Sequence, residues 1–124
     1  GMLAPIEGRA RIHTTANISA AYSVYLTCRN GRTPKNANEL SGIVREENMN
    51  PFDALNSVYC LSYSLYVAQN NASEVERLTV LSRAVKYMQR RAAEIDDAAV
   101  RREFLDNNAW NKVIHEHALA SKLI

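Results

Sequence analysis

Residues 95–114 constrain the fold of this chain most strongly, because they contain two predicted helix starts with almost no loop between them. Asp97 precedes an apolar run that begins at Val100, so its carboxylate can accept hydrogen bonds from the free amides of a first helical turn. Asn108 is placed in the same way before a last helix. The sequence therefore predicts that two short C-terminal helices, over residues 97–121, follow directly on a longer one.

The longer helix is predicted over residues 74–95. Its start is marked by Ser73 and Glu76, whose spacing is that of a capping box, in which each side chain bonds the backbone of the other residue. Apolar residues then recur at intervals of three and four, as on one face of an α-helix. They are Leu78, Leu81, Val85, Met88, Ala92 and Ile95. This one-sided pattern predicts that the helix lies on a core.

The preceding helix, predicted over residues 51–69, is apolar on two opposite sides. One stripe is mainly aromatic and the other is aliphatic. The aromatic stripe contains Phe52, Leu55, Tyr59, Tyr63 and Tyr66, and the aliphatic stripe contains Ala54, Val58, Leu61, Leu65 and Ala68. A helix that is apolar on both sides must be covered on both sides. We therefore expect this helix to be the central one.

Two further helices are predicted nearer the N-terminus. Residues 1–8 are expected to form a flexible lead-in, and the helix over residues 9–29 ends before Gly31, which is a natural left-handed C-cap position. Thr33, followed by proline, has the pattern of a helix start. The helix that it opens, over residues 33–48, has few apolar side chains, so we expect it to be the outermost helix.

Composition supports an all-α fold. The 124 residues include only four glycines and three prolines, too few for a turn-rich β fold. The predicted helices form a single domain over residues 9–124, with one hairpin at 9–48, a second at 51–95 and capping helices at 97–121. We therefore predict about five or six helices in antiparallel hairpins that are stacked as a short solenoid.

The C-terminal half also carries a set of residues with a recognisable spacing. They are Ile95, Asp97, Arg101, Phe104, Leu105, Asn107, Asn111 and Ile114. In this spacing they resemble the end of the tetratricopeptide-like (TPR-like) helical region of large bacterial signalling proteins, which are multidomain ATPase-type regulators and nucleotide cyclases. Ala98 and Ala109 stand where prolines are usual. The resemblance implies a TPR-like solenoid and a scaffold role in bacterial signalling or regulation.

The sequence contains no recognisable catalytic, metal-binding or phosphate-binding motif. His115 and His117 point to different sides of a helix and so cannot bind one ion together. Cys28 and Cys60 both fall within predicted helices, and we expect them to be reduced core thiols, as in the cytoplasm. We therefore predict a cytoplasmic protein without enzymatic activity, cofactor or bound metal.

The expected partner is a protein or peptide, or a second copy of the chain. The net charge of +2 is too balanced to predict binding to nucleic acid or to an anionic membrane, and no apolar run is long enough to span a membrane. The candidate partner-binding residues are apolar side chains on two helices: Ile18, Tyr22, Tyr25, Leu26, Tyr59, Tyr63 and Tyr66. Core packing is the alternative role for the tyrosines at 59, 63 and 66.

The apolar face of the first helix leads to a prediction about assembly. We expect no helix to precede it, so its apolar face needs another cover. A two-fold pairing of first helices would provide one, and we predict a homodimer through the segment from Arg9 to Arg29, with help from residues 33–48. Two other functions stay open: a small-ligand-binding or enzymatic helical bundle that uses His13 or His117, and a non-autonomous remnant of a larger signalling protein.

Overall fold

The computed structural model describes residues 18–35, 37–50, 53–70 and 73–124, and over these residues it contains helices and no strand. The prediction of an all-α fold is confirmed. We label the helical residues 18–29 as α1. The other elements are α2 (Ala37–Ile43), a 3₁₀ turn (Glu46–Asn48), α3 (Asn56–Gln69), α4 (Glu74–Ala93), α5 (Ala98–Asn107) and α6 (Ala109–Ala120). The predicted lead-in and the predicted first half of the first helix lie outside the described residues.

The core is centred on the hairpin of α3 and α4, whose contact is the most extensive between any two of the helices α2 to α6. Val58 and Leu61 of α3 pack with Leu81 of α4, and all three are fully buried. Helix α6 lies against both helices of the hairpin and contributes the fully buried Ile114. The central position predicted for α3 is confirmed, whereas the TPR-like stacking of hairpins stays a prediction.

The beginnings of α2 and α3 differ from the predictions. Residues 53–55 form a turn, because the Asp53 carboxylate accepts a hydrogen bond from the Leu55 backbone amide at 2.9 Å, and α3 begins only at Asn56. This side-chain bond offers the backbone an alternative to the helix. Likewise α2 begins at Ala37 rather than directly after Thr33.

The end of α2 also differs, because the α-helix stops at Ile43 instead of continuing to residue 48. The Asn48 side-chain amide donates to the Gly42 carbonyl at 2.8 Å, and this bond holds the chain in a tighter 3₁₀ turn over Glu46–Asn48. Glycine also weakens an α-helix by roughly 1 kcal/mol relative to alanine, so α2 has little intrinsic reason to continue past Gly42.

The predicted caps of the C-terminal helices are confirmed. One carboxylate oxygen of Asp97 accepts from the amides of Ala99 and Val100 at 2.9 and 3.1 Å, and Asn108 accepts from the Asn111 amide at 3.3 Å. These bonds satisfy amides that a first helical turn cannot pair internally. They fix the start of α5 at Ala98 and the start of α6 at Ala109. Only Asn108 separates the two helices, so there is almost no loop between them, as the sequence predicts.

The capping box at the start of α4 forms only in part. The Ser73 hydroxyl accepts from the Glu76 amide at 3.4 Å, which is the first half of the box. The Glu76 carboxylate instead accepts a hydrogen bond of 2.6 Å from the Tyr63 hydroxyl of α3. A tertiary contact therefore replaces the second local bond, and it ties α3 to the first turn of α4.

Helices α1 and α6 end in the same Schellman motif, in which a residue of left-handed conformation lets two amides bond carbonyls of the last turn. After α1 that residue is Gly31, with φ of 77°, and Arg32 donates to the Thr27 carbonyl at 3.0 Å. After α6 it is Lys122, with φ of 60°, and Leu123 donates to the Ala118 carbonyl at 2.8 Å. Lysine thus occupies a position that favours glycine.

The replacement Lys122→Gly is expected to raise the free energy of unfolding by about 0.5 kcal/mol. Relief of left-handed strain, about 1–2 kcal/mol, exceeds the extra conformational freedom that glycine gives to the unfolded chain. Gly31→Ala is the matched control and should lower the free energy of unfolding by about 1 kcal/mol through backbone strain alone, since no atom lies within 4 Å of the added Cβ. Urea unfolding measures both. A less stable Lys122→Gly variant would contradict the strain argument.

Candidate functional site

Two neighbouring apolar side chains of α1 are exposed. Ile18 is 44% exposed and Tyr22, one helical turn later, is 41% exposed. The Tyr22 ring lies 6.5 Å from the ring of Trp110, at an interplanar angle of 56°. Trp110 is the second residue of α6 and reaches α1 because the Asn108 cap fixes where α6 begins. We call Ile18, Tyr22, Phe104 and Trp110 the α1/α6 face.

A pocket of about 470 Å³ adjoins this face. Its apolar wall includes three members of the face: Ile18, Phe104 and Trp110. Polar and charged residues also line it, among them Asp53, Arg91 and Asn108. Phe104 and Trp110 are half-buried, so part of each ring is accessible. An apolar centre with a polar border is the usual composition of a protein–protein interface.

The candidate residues of the first helix do not all lie on this face. Ile18 and Tyr22 do, and Leu26 is half-buried and packs against the core. Tyr25 is only 1% exposed and belongs to the core, so the prediction of a partner-binding role for Tyr25 is wrong. Its burial also raises the pKa of its phenol. The spacing within one helix does not reveal which of its tyrosines the neighbouring helices cover.

The tyrosines of α3 form a separate group. Tyr59, Tyr63 and Tyr66 are half-buried and pack against the core, as the alternative interpretation expects. Burial and the adjacent Glu76 carboxylate raise the pKa of Tyr63, which donates its hydroxyl hydrogen to that carboxylate. Tyr59 lines a different pocket, beside α2. The structure therefore does not join these tyrosines to Ile18 and Tyr22 in one surface.

The sequence interpretation missed the contribution of α5 and α6 to the exposed surface. Neither Phe104 nor Trp110 is among the predicted partner-binding residues. In the structure both are half-buried beside Ile18. The signal available in the sequence was the aromatic character of these residues. The contact of Trp110 with Tyr22 joins two distant parts of the chain, and local spacing cannot reveal such a contact.

Reactive chemistry is not apparent in the part of the chain that the structure describes. No group of three or more His, Cys, Asp or Glu side chains there could hold a metal ion. Cys28 and Cys60 are free and buried, and burial raises their thiol pKa values to about 11 and about 12. Nor do the described helices include one that is long and apolar enough to cross a membrane.

Comparison with known families gives one result that bears on nearly the whole chain. The sequence model of the family TP_0123_C, described as a C-terminal domain, matches residues 6–122. The chain belongs to this family. Comparison with curated proteins and with solved structures gives no match. The family's description does not state an activity, so the resemblance to signalling proteins stays a prediction.

Both cysteines are expected to react slowly with a thiol reagent such as iodoacetamide at pH 8. The thiolate is the reacting form, and raised pKa values leave each thiol almost entirely protonated at that pH. Peptide mapping by mass spectrometry should show little alkylation of Cys28 or Cys60 in the folded protein and rapid alkylation in urea. Prompt alkylation of either cysteine without unfolding would contradict the buried placement.

Proposed function

We propose that the chain is a non-catalytic protein-interaction module that binds its partner through the α1/α6 face. The observation that carries this proposal is the grouping of two exposed side chains, Ile18 and Tyr22, with the partly accessible rings of Phe104 and Trp110. Tyrosine and tryptophan are enriched among the residues that supply most of the binding energy at interfaces. An aromatic group of this kind is therefore suited to bind another protein.

The geometry of the face supports this role. The Tyr22 and Trp110 rings are held against each other, so little side-chain freedom remains to be lost on binding. Each apolar Å² removed from water contributes roughly 25 cal/mol, so covering Ile18 and Tyr22 would be favourable. The polar residues that line the adjoining pocket, such as Asp53 and Arg91, can provide hydrogen bonds that set the orientation of a partner.

The partner that we propose first is a second copy of the chain. A two-fold arrangement brings the same surface of two protomers together, and it is the commonest closed assembly of soluble proteins. In such a homodimer the α1 helices would pair, and Tyr22 of each protomer would lie within the interface. A cytoplasmic role in bacterial signalling or regulation is part of the proposal, and the resemblance described above supports it.

The family's description as a C-terminal domain supports a further possibility. In that case the module acts as one part of a larger polypeptide, and the α1/α6 face binds a neighbouring domain or another protein. This alternative keeps the same surface and changes only its partner.

A pocket on another side of the bundle favours small-ligand binding as a second candidate function. It has a volume of about 630 Å³ and lies between α4, α5 and α6. Met88, Leu105 and Ile124 supply apolar walls, and Lys112 and His115 are among the polar residues that line it. A hydrophobic fluorescent dye bound by the folded protein, and displaced when Leu105→Trp fills the pocket, would support this function.

Tyr22→Glu is the direct test of the proposed interface. Light scattering should give about twice the chain mass for the wild-type protein at micromolar concentration and the monomer mass for Tyr22→Glu, since pairing would bury an unpaired carboxylate. Val75→Glu is the matched control, because Val75 is 73% exposed at the start of α4 and lies outside the α1/α6 face. It should leave the measured mass unchanged.

Two outcomes would contradict this assignment. A wild-type protein that stays monomeric, with an all-helical circular dichroism spectrum, would exclude the second copy as partner. A dimer that persists in Tyr22→Glu would place the interface on another surface.

A further inference from the structure

The sulfur of Met49 lies between two hydrogen-bond donors. The Cys60 thiol of α3 is 3.9 Å from it, and a guanidinium nitrogen of Arg83 in α4 is 3.6 Å from it. Arg83 also donates to the Val44 carbonyl, just after α2. Met49 itself follows the 3₁₀ turn and is half-buried. Side chains of two helices, α3 and α4, therefore converge on one thioether.

A small solute can approach this thioether. Met49 lines a pocket of about 480 Å³ that is also lined by Gly42, Ile43, Asn48 and Tyr59. The other described methionine, Met88, is only 3% exposed and lies in the core. Access alone does not activate a thioether, but it allows an oxidant as small as hydrogen peroxide to reach Met49.

The placement of Arg83 gives Met49 a chemical advantage beyond access. A thioether sulfur is a weak hydrogen-bond acceptor, whereas the oxygen of a sulfoxide carries partial negative charge. A guanidinium that points at the sulfur can donate to that oxygen as it forms, and a charge-assisted bond of this kind is strong. The interaction is thus stronger in the transition state than in the ground state, which is the condition for faster reaction.

We propose that Met49 is an oxidation site that hydrogen peroxide converts to methionine sulfoxide, with Arg83 stabilising the transferred oxygen. A lone pair of the sulfur attacks one peroxide oxygen, the S–O bond forms and the O–O bond breaks. The departing hydroxide takes the proton from the transferred oxygen and leaves as water. Met49 is oxidised by two electrons, and the peroxide is reduced by two electrons.

Cys60 does not compete for the oxidant. Oxidation of a cysteine proceeds through its thiolate. Burial raises the pKa of Cys60 to about 12, so this side chain stays a thiol and acts as a donor. The added oxygen therefore remains on Met49, where it strengthens the connection between Arg83 of α4 and the segment after α2.

The first test compares oxidation rates in the folded and the unfolded wild-type protein. Hydrogen peroxide is added in buffer and in urea, and peptide mapping follows the gain of one oxygen at Met49 and Met88. We expect Met49 to react at least as fast in the folded protein as in urea, and Met88 to react much more slowly when folded. If Met49 is also slower in the folded protein, its partial burial dominates and the proposal is wrong.

The second test removes the guanidinium. Arg83→Met opens the site, so exposure alone predicts equal or faster oxidation of Met49, whereas our proposal predicts a several-fold slower rate. Met49→Leu confirms the assignment of the modified peptide. Circular dichroism shows whether Arg83→Met folds, and Arg83→Leu, which also lacks the charge and the donors, replaces it if it does not, with the same expected decrease. An unchanged or increased rate in the folded variant would overturn the role of Arg83.

Discussion

The reversal of the chain after α4 determines where the last two helices lie, and it depends on the Arg101 guanidinium. That group donates to the carbonyl of Ala92, in the last turn of α4, at 3.2 Å and to the carbonyl of Ile95, just after α4, at 3.0 Å. The positive charge of Arg101 also lies near the negative, C-terminal end of the α4 dipole, which is a favourable interaction. One side chain of α5 thus stabilises the end of α4, and together with the Asp97 cap it sets the direction in which α5 leaves.

The consequences of this corner extend to the candidate interface. Asn111, which is fully buried, donates its side-chain amide to the Phe104 carbonyl at 3.0 Å and so joins α6 to α5. Ile114, one turn later, can then enter the core while Trp110 faces α1. Most of the residues that carry the resemblance to bacterial signalling proteins therefore act here as helix caps, as hydrogen-bond donors to backbone carbonyls or as core contacts. Their arrangement explains the architecture, whereas the proposed interaction function rests on Tyr22 and its neighbours.

Local signals in the sequence predict local structure well, and the failures occur where distant parts of the chain meet. Asp97, Asn108 and Gly31 each act within about three residues of their own position, so their roles as caps are evident from the sequence. Glu76 could have completed a local capping box, but it bonds Tyr63 of another helix at 2.6 Å. Tyr22 and Tyr25 illustrate the same limit, because both have apolar bodies and only the packed neighbours decide which of them is buried.

The proposed oxidation site and the proposed interface are adjacent in the fold through one short segment. Asn50 and Asp53 line both the pocket beside the α1/α6 face and the pocket that gives access to Met49. Met49 is joined to Asn50 by a single peptide bond, so a change in how Arg83 holds Met49 acts on a residue that borders the interface pocket. Such proximity becomes regulation only if oxidised and reduced Met49 favour different arrangements of that segment. The polar lining of the interface pocket, rather than its aromatic centre, is where that difference would act.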